Sequence, residues 1–229
     1  MGGGGFSMDD PILDHFVLEL VGASRPKVCF LPTATSAVPV YAVAFFQAFP
    51  ATGFDSSFLD LFVRDGRDLR AFMLEQDVIY VGGGNTANLL AIWRAHGVDA
   101  ILREAWESGV VLAGMSAGAN CWFEGSTTDS FGPLAALPDG LGLIPGSFSP
   151  HFDSEPQRRP LFHRLIAEGT LPDGIACDDF AAVHLIGMEL SEVVASRAEA
   201  GAYRIVRGAD GEAHEAALPV NRLGHEGRG

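Results

Sequence analysis

The chain has 229 residues, which suits one α/β domain with a full hydrophobic core. Its composition, 48% hydrophobic and 19% charged, excludes an intrinsically disordered chain. The formal net charge of −14 argues against nucleic acid and membranes as partners, because such a surface would repel nucleic acid and anionic lipid alike.

No targeting, membrane or metal-binding segment is predicted. Met1–Phe6 is glycine-rich and lacks the basic and apolar regions of a signal peptide. No apolar run reaches the length of about twenty residues that a transmembrane helix needs. Cys29, Cys121 and Cys177 show no paired spacing, so neither a disulfide framework nor a zinc site is indicated. We therefore expect a cytoplasmic protein.

Short apolar runs alternate with longer helical patterns in the first half of the chain. This alternation is typical of βαβ units and predicts an α/β fold, a mostly parallel doubly wound sheet with helices on both faces. The predicted elements in chain order are strand Lys27–Leu31, helix Val38–Phe49, strand Ser57–Val63, helix Leu69–Glu75, strand Val78–Val81, helices Ala87–His96 and Val98–Ser108, strand Val110–Ala113 and a helix from Ala117.

The second half is less regular. Phe123–Pro150 is rich in Gly, Ser, Thr and Pro, and is predicted to be loop-like with short elements. The following segments are predicted as helix Pro160–Glu168, strands Gly174–Cys177 and Ala181–Ile186, and a hairpin around Asp210-Gly211. The polar segment Asn221–Gly229 is predicted to be frayed. The sequence predicts a single domain over residues 1–229.

A serine lies in a predicted tight turn between a strand and a helix. In Gly114-Met115-Ser116-Ala117-Gly118, glycine on both sides of the serine allows a sharp turn beside neighbouring backbone. Such a turn lifts the hydroxyl above the carboxyl end of the sheet, where doubly wound folds place their sites. The Ala117 amide would then face a substrate carbonyl oxygen. We interpret Ser116 as a nucleophile; the alternative is a serine that caps the helix.

A second glycine loop follows the strand Val78–Val81. Gly82-Gly83-Gly84-Asn85-Thr86 lacks the dinucleotide fingerprint and the Gly-Lys-Ser/Thr ending of a phosphate-binding loop. We interpret it as the source of a second oxyanion donor, the Gly84 amide. The alternative is a tight turn without a chemical role.

A serine nucleophile needs a base, and His151 is the histidine best placed by the predicted elements. It lies in a loop after a strand-like stretch, where a catalytic histidine is usually presented. The acid that would orient its imidazole is left open by the pattern alone, among the carboxylates Asp129, Asp153, Asp178 and Asp179.

Three segments taken together, in this order, resemble the peptidase E family: Gly82–Thr86, Gly114–Asn120 and Pro150–Phe152. That family contains aspartyl dipeptidases and, more distantly, cyanophycinases. The similarity runs from about Pro26 to about Val183. It implies a fold like that of the class I glutamine amidotransferases, with serine in place of their cysteine. It also implies Ser116 as nucleophile, His151 as base, and the amides of Gly84 and Ala117 as oxyanion donors.

The resemblance implies two different positions for the acid. In aspartyl dipeptidases it follows a Thr-Thr pair, which corresponds to Asp129 here and is the favoured assignment. In the cyanophycinase-like branch a Glu stands in a later Asp-Glu pair, which corresponds to Asp178-Asp179 and makes Asp179 the alternative.

Three polar residues outside the proposed triad are candidates for substrate binding. Asn85, Arg158 and Arg159 are predicted to bind substrate, the arginines through a carboxylate. The alternative for Arg158 and Arg159 is ion pairing with Asp153 and Glu155. The segment His151–Pro160 is polar and differs from that of the best-known aspartyl dipeptidases.

The resulting hypothesis is a serine dipeptidase acting on short peptides with an N-terminal Asp through an acyl-enzyme, without metal or organic cofactor. The alternatives are a cyanophycinase-like hydrolase of β-aspartyl-arginine and a non-catalytic binding protein on the same fold. The family suggests a monomer or a homodimer.

Overall fold

The structure is a computed structural model, and it describes residues 1–224. Its helices are α1 (Ile12–Glu19), α2 (Val38–Ala48), α3 (Leu69–Leu74), α4 (Thr86–His96), α5 (Val98–Glu107), α6 (Ala117–Asn120) and α7 (Arg158–Ala167). Its strands are β1 (Lys27–Leu31), β2 (Asp55–Phe58), β3 (Val78–Val81), β4 (Val111–Gly114), β5 (Phe123–Thr128), β6 (Ala135–Leu137), β7 (Ile144–Ser149), β8 (Gly174–Cys177), β9 (Ala181–Ile186), β10 (Glu189–Ala195), β11 (Ala202–Arg207), β12 (Ala213–Ala217) and β13 (Val220–Arg222).

The first half of the chain forms a parallel sheet in the order β2-β1-β3-β4. Alternate residues of a strand face opposite sides of its sheet. Cys29 and Ile79 accordingly join the apolar cluster that contains α3, α4 and α5, whereas Phe30 and Tyr80 join the cluster that contains α1 and α2. Helices therefore cover both faces, and the predicted α/β class is confirmed.

The segment Phe123–Pro150 corrects the prediction of a loop-like region. It contains β5, β6 and β7, and β7 pairs in parallel with both β5 and β8 in a sheet of order β12-β11-β8-β7-β5-β6. These strands lack a continuous apolar run because Ser, Thr and Gly are interspersed among their buried apolar residues. Thr127 Oγ1 and Ser149 Oγ, for example, lie 2.7 Å apart and satisfy each other by a hydrogen bond.

Two further boundaries differ from the prediction. The strand predicted at Ser57–Val63 is β2, Asp55–Phe58, because its pairing with β1 ends at Phe58. Asn221 and Arg222, predicted to be frayed, belong to β13, which pairs with β10. The remainder of that predicted tail from 225 to 229 lies outside the described residues.

The glycine-rich segment Met1–Phe6 is buried inside the fold. The Ser116 amide donates to the Met1 carbonyl (3.2 Å), the Gly2 amide to the Ala181 carbonyl (3.2 Å), and the Phe180 amide to the Gly3 carbonyl (2.9 Å). The segment therefore runs between the end of β4 and the turn that precedes β9. No helix in the described part of the chain has the length and apolar character needed to cross a membrane.

Candidate active site

Four segments that follow parallel strands meet at one edge of the fold. The glycine loops follow β3 and β4, His151 follows β7, and Asp179 follows β8. The carboxyl ends of parallel strands lie on the same side, so residues far apart in sequence are brought together there.

Ser116 lies in a strained turn between β4 and α6. Its φ of 52° and ψ of −115° are unusual for a residue with a side chain, as expected for a nucleophile held on a sharp strand-to-helix turn. Both flanking glycines are sterically required, because a Cβ on Gly114 would overlap the Gly118 carbonyl and one on Gly118 would overlap the Val81 carbonyl. Ser116 forms no side-chain capping hydrogen bond, which removes the alternative of a helix-capping serine.

His151 links Ser116 to a carboxylate. Its Nε2 lies 2.8 Å from Ser116 Oγ, and its Nδ1 lies 2.6 Å from Asp179 Oδ1. The His151 and Asp179 side chains are 21% and 10% exposed, so their hydrogen bond is largely shielded from water. In this geometry an imidazole can accept a proton from the serine hydroxyl while the carboxylate holds the ring.

The structure places Asp179, not the favoured Asp129, against His151. Asp129 is exposed, and it lies in a turn after β5 that is closed by a hydrogen bond from the Gly132 amide to its carbonyl, at 2.9 Å. The reason is the path of the chain after each strand: β5 and β8 both lie beside β7, and the residues after β8 contact the imidazole that follows β7. The chain after β5 turns away instead, into β6.

The surroundings of Asp179 favour its charged form. Burial raises its pKa, but hydrogen bonds from His151 and Ser154 and electrostatic attraction to His151 and Arg158 outweigh that effect and hold the pKa below its usual value. The Asp179 amide also donates to Asp153 Oδ1 at 2.9 Å, which restrains the backbone. An ionised Asp179 accepts a hydrogen bond from the Nδ1–H group of His151, and in that tautomer Nε2 is an acceptor facing the Ser116 hydroxyl.

The neighbouring Asp178 has other partners. Its Oδ2 accepts hydrogen bonds from the Gly201 amide (2.9 Å) and the Tyr203 hydroxyl (3.3 Å). Burial, followed by the charge of Asp153, raises the pKa of Asp178 to about 6. Asp178 is therefore not the carboxylate that binds His151.

One predicted oxyanion donor, the Ala117 amide, follows Ser116 directly, and the other, the Gly84 amide, belongs to the loop that follows β3. Gly83 contacts the serine closely, since a Cβ there would stand 3.3 Å from Ser116 Cβ. Gly84 has φ of 138°, and a Cβ on it would overlap the Ala34 carbonyl, so only glycine fits. Within residues 1–224, neither the Gly84 amide nor the Ala117 amide donates a backbone hydrogen bond. A role as oxyanion donors requires such amides, so it remains a prediction for both.

The predicted substrate-binding arginines are engaged within the protein. Arg158 is buried, with Nε 2.9 Å from Glu155 Oε2 and Nη1 3.1 Å from the Thr127 carbonyl oxygen. This ion pair with Glu155 agrees with the alternative to substrate binding. Arg159 instead pairs with Glu215, and its guanidinium stacks 4.3 Å from the centre of the Phe152 ring.

Asn85 has a structural position at the start of α4. Its Oδ1 accepts from the Asn88 amide (2.8 Å) as an N-cap, and its Nδ2 donates to the Ser130 carbonyl (2.9 Å). Both the oxygen and the nitrogen of the Asn85 side chain form hydrogen bonds within the protein. These contacts therefore do not support a role in substrate binding.

Sequence reasoning missed Gly3 as a component of this site. A Cβ on Gly3 would overlap Asp179 Oδ1 and stand 3.0 Å from His151 Cε1. The four consecutive glycines Gly2–Gly5 were the available signal, because such a run indicates close backbone approach. As for metals, no group of three or more His, Cys, Asp or Glu among residues 1–224 is placed to hold an ion.

Sequence comparisons agree with the motif resemblance. The profile of peptidase family S51 matches residues 1–193. The uncharacterized peptidase YgaJ of Bacillus subtilis (strain 168) is 50% identical over 226 residues, which cover 98% of this chain and 97% of that protein. Peptidase E of Shewanella denitrificans is 28% identical over 148 residues, which cover 63% of this chain and 62% of that protein.

Solved structures show the same fold. A peptidase from an acI-B1 actinobacterium has a TM-score of 0.72 at 20% identity, with 96% of this chain and 93% of that chain covered. A protein from Listeria monocytogenes described as a putative peptidase E has a TM-score of 0.53 at 22% identity, with 89% of this chain and 93% of that chain covered. The resemblance to peptidase E is therefore confirmed by profile, sequence and fold, and the chain belongs to peptidase family S51.

Proposed function

We propose that this protein is a serine peptidase that hydrolyses short peptides through Ser116, His151 and Asp179. The observation that carries the proposal is the continuous hydrogen-bonded series from Ser116 Oγ through the imidazole to Asp179 Oδ1. The strained turn at Ser116 and the free amides of Gly84 and Ala117 support it.

The proposed reaction is acyl transfer in two stages. His151 Nε2 accepts the Ser116 proton as Oγ attacks the peptide carbonyl carbon, and the Gly84 and Ala117 amides donate to the oxyanion. The imidazolium, stabilised by Asp179, gives its proton to the leaving amine as the C–N bond breaks. Water, deprotonated by His151, then attacks the acyl-enzyme and releases the acid and the free serine.

The proposed preferred substrates are dipeptides with an N-terminal Asp. This preference rests on the similarity to proteins named peptidase E. Arg158 and Arg159 do not support it, since each is committed to an internal ion pair. A second candidate, hydrolysis of β-aspartyl-arginine, is favoured by one observation: the acid at His151 is Asp179, in the pair where the cyanophycinase-like branch carries its Glu.

The test is hydrolysis of a panel containing Asp-X, Glu-X, Ala-X and β-Asp-Arg dipeptides by the parent protein and by Ser116→Ala. We expect cleavage of Asp-X, reduced by at least about 10³-fold in the variant, because a triad acts as a unit. Circular dichroism of both proteins controls for folding.

Cleavage restricted to β-Asp-Arg would select the second candidate. Retention of most activity in Ser116→Ala would overturn the serine mechanism. If the parent cleaves no member of the panel, the proposed dipeptidase function is wrong.

A further inference from the structure

An apolar groove of about 540 Å³ lies between the edges of β4 and β9. Residues 110–114 form one wall and residues 182–187 the other, and Met1 stands at one end. The groove is separate from the carboxyl edge where Ser116 and His151 meet, and the proposed peptidase mechanism does not use it.

The two walls are strand edges that lack a partner strand. Within residues 1–224, β4 pairs with β3 and β9 pairs with β10, so each has one edge free. Unpaired backbone donors and acceptors along such edges are a ready template for another strand. The groove is therefore bounded by hydrogen-bonding groups on both sides, not by side chains alone.

The backbone of Met1 and Gly2 lies between the two segments and forms hydrogen bonds with both, as a strand in the groove would. The Met1 nitrogen donates to the Gly114 carbonyl at 2.9 Å, and the Ser116 amide donates to the Met1 carbonyl at 3.2 Å. These two hydrogen bonds are those that one residue makes to a neighbouring parallel strand, and they place Met1 opposite Met115. On the other side, the Gly2 amide donates to the Ala181 carbonyl at 3.2 Å.

The directions of the two walls determine how a strand would pair. A strand running into Met1 is parallel to β4. The chain reverses between β8 and β9 in a turn closed by a bond from the Ala181 amide to the Asp178 carbonyl, at 3.3 Å. β9 therefore runs away from the site edge, antiparallel to such a strand.

Both faces of the groove are apolar. Phe16, Val17 and Leu20 of the α1 region cover one face, and Trp122 and Phe148 lie on the other. Strands buried on both faces carry apolar, β-branched side chains throughout instead of alternating with polar ones. A strand opposite residues 110–114 has about five residues, at about 3.3 Å per residue.

We propose that this groove is an acceptor site for an extended apolar strand of about five residues that enters Met1 through a peptide bond. The register of the Met1 hydrogen bonds favours this source. A separate peptide would instead leave its terminal carboxylate and the buried Met1 ammonium as two charges at the junction, and a peptide bond removes both charges and their desolvation cost. The added strand would join the sheet β2-β1-β3-β4 to the sheet β13-β10-β9.

The experiment joins Val-Ile-Val-Ile-Ala directly ahead of Met1 in the full chain. Two control chains carry Gly-Ser-Gly-Ser-Gly, or the apolar segment with Pro at its centre, which removes one donor and disrupts pairing. We expect the apolar chain to have a Tm higher than the parent by about 5 °C or more, with smaller gains in both controls. Hydrogen exchange should show new protection of free-edge amides in residues 111–113 and 182–185.

Equal Tm values for the apolar and Gly-Ser chains, without new amide protection, would overturn the proposal. The free pentapeptide added to the parent protein provides the second comparison. A matching rise in Tm from the free peptide would show that the strand need not be joined to Met1, which would contradict the proposed source.

Discussion

Asp179 is held by contacts that no other carboxylate of the region shares. Its Oδ1 binds His151 Nδ1, its amide binds Asp153, and its charge is supported by Arg158 from the interior. The hydrogen bonds of Arg158 itself go to Glu155 and Thr127.

Substitution of Asp179 and of Asp129 distinguishes which carboxylate acts with His151. We expect Asp179→Asn to lower kcat by about 10³- to 10⁴-fold, because an amide stabilises neither the required imidazole tautomer nor the imidazolium. The exposed residue Asp129 offers a matched control, and Asp129→Asn should stay within about twofold of the parent. Steady-state kinetics on the substrate identified in the panel measures both. The reverse pattern would restore Asp129 as the acid.

Gly3 provides a test of positioning without touching a titratable group. In Gly3→Ala, the added Cβ would displace Asp179 or His151, so we expect kcat to fall by at least about tenfold with a smaller change in KM. Gly53→Ala is the control, since no atom lies within 4 Å of a Cβ there. A merely structural effect would lower Tm in Gly3→Ala and leave the kcat of the folded protein unchanged.

At the scale of elements, the predictable parts are those with continuous apolar character. β1 and β3 agree with the predicted strands because both are buried runs, and α4 and α5 show helical spacing of large apolar residues. β5 and β7 were not predictable in the same way, because their core-facing Ser and Thr residues satisfy one another across the sheet. These hydrogen bonds between buried hydroxyl groups can be recognised only when the pairing of the strands is known.

The stability of α4 should depend on the side chain of Asn85 at its start. Asn85→Ala removes both the N-cap and the bond to the Ser130 carbonyl, so we expect the free energy of unfolding to fall by about 1–2 kcal/mol. Asn85→Asp keeps an acceptor for the cap and should lose less. Urea unfolding of the three proteins measures the difference. Equal stability of Asn85→Ala and the parent would contradict the role of this residue as a cap.

At the scale of the whole molecule, stability should depend on pH through buried acids. Asp14 of α1 accepts from the Tyr80 hydroxyl at 2.8 Å, and its Oδ2 has no hydrogen-bond partner among residues 1–224. Burial raises the pKa of Asp14 to about 6. A raised pKa means that the folded state binds this proton more tightly than the unfolded chain, whose Asp has a pKa of about 3.9. The contribution to stability is therefore present below about pH 4 and is lost as pH rises towards 6.

Asp14→Asn tests this dependence. The neutral amide keeps an acceptor for Tyr80 and carries no charge, so the variant should gain stability over the parent at pH 7.5, on the order of 1 kcal/mol. At pH 4.5 the gain should be smaller, because Asp14 is already mostly protonated, and therefore neutral, in the folded parent protein. Urea unfolding at the two pH values measures it. A gain that is equal at both values would contradict a buried, titrating Asp14.

The sequence by itself determined the local parts of this protein: the α/β class, the glycine-flanked turn at Ser116 and the histidine after a strand end. These features follow from residues a few positions apart, where apolar periodicity and glycine sterics act directly. The tertiary structure decided which acid meets His151, 28 positions away, and brought Gly3 beneath that pair. Such choices depend on which strands are neighbours and which carboxylate is stabilised there, and both arise only from long-range pairing and burial.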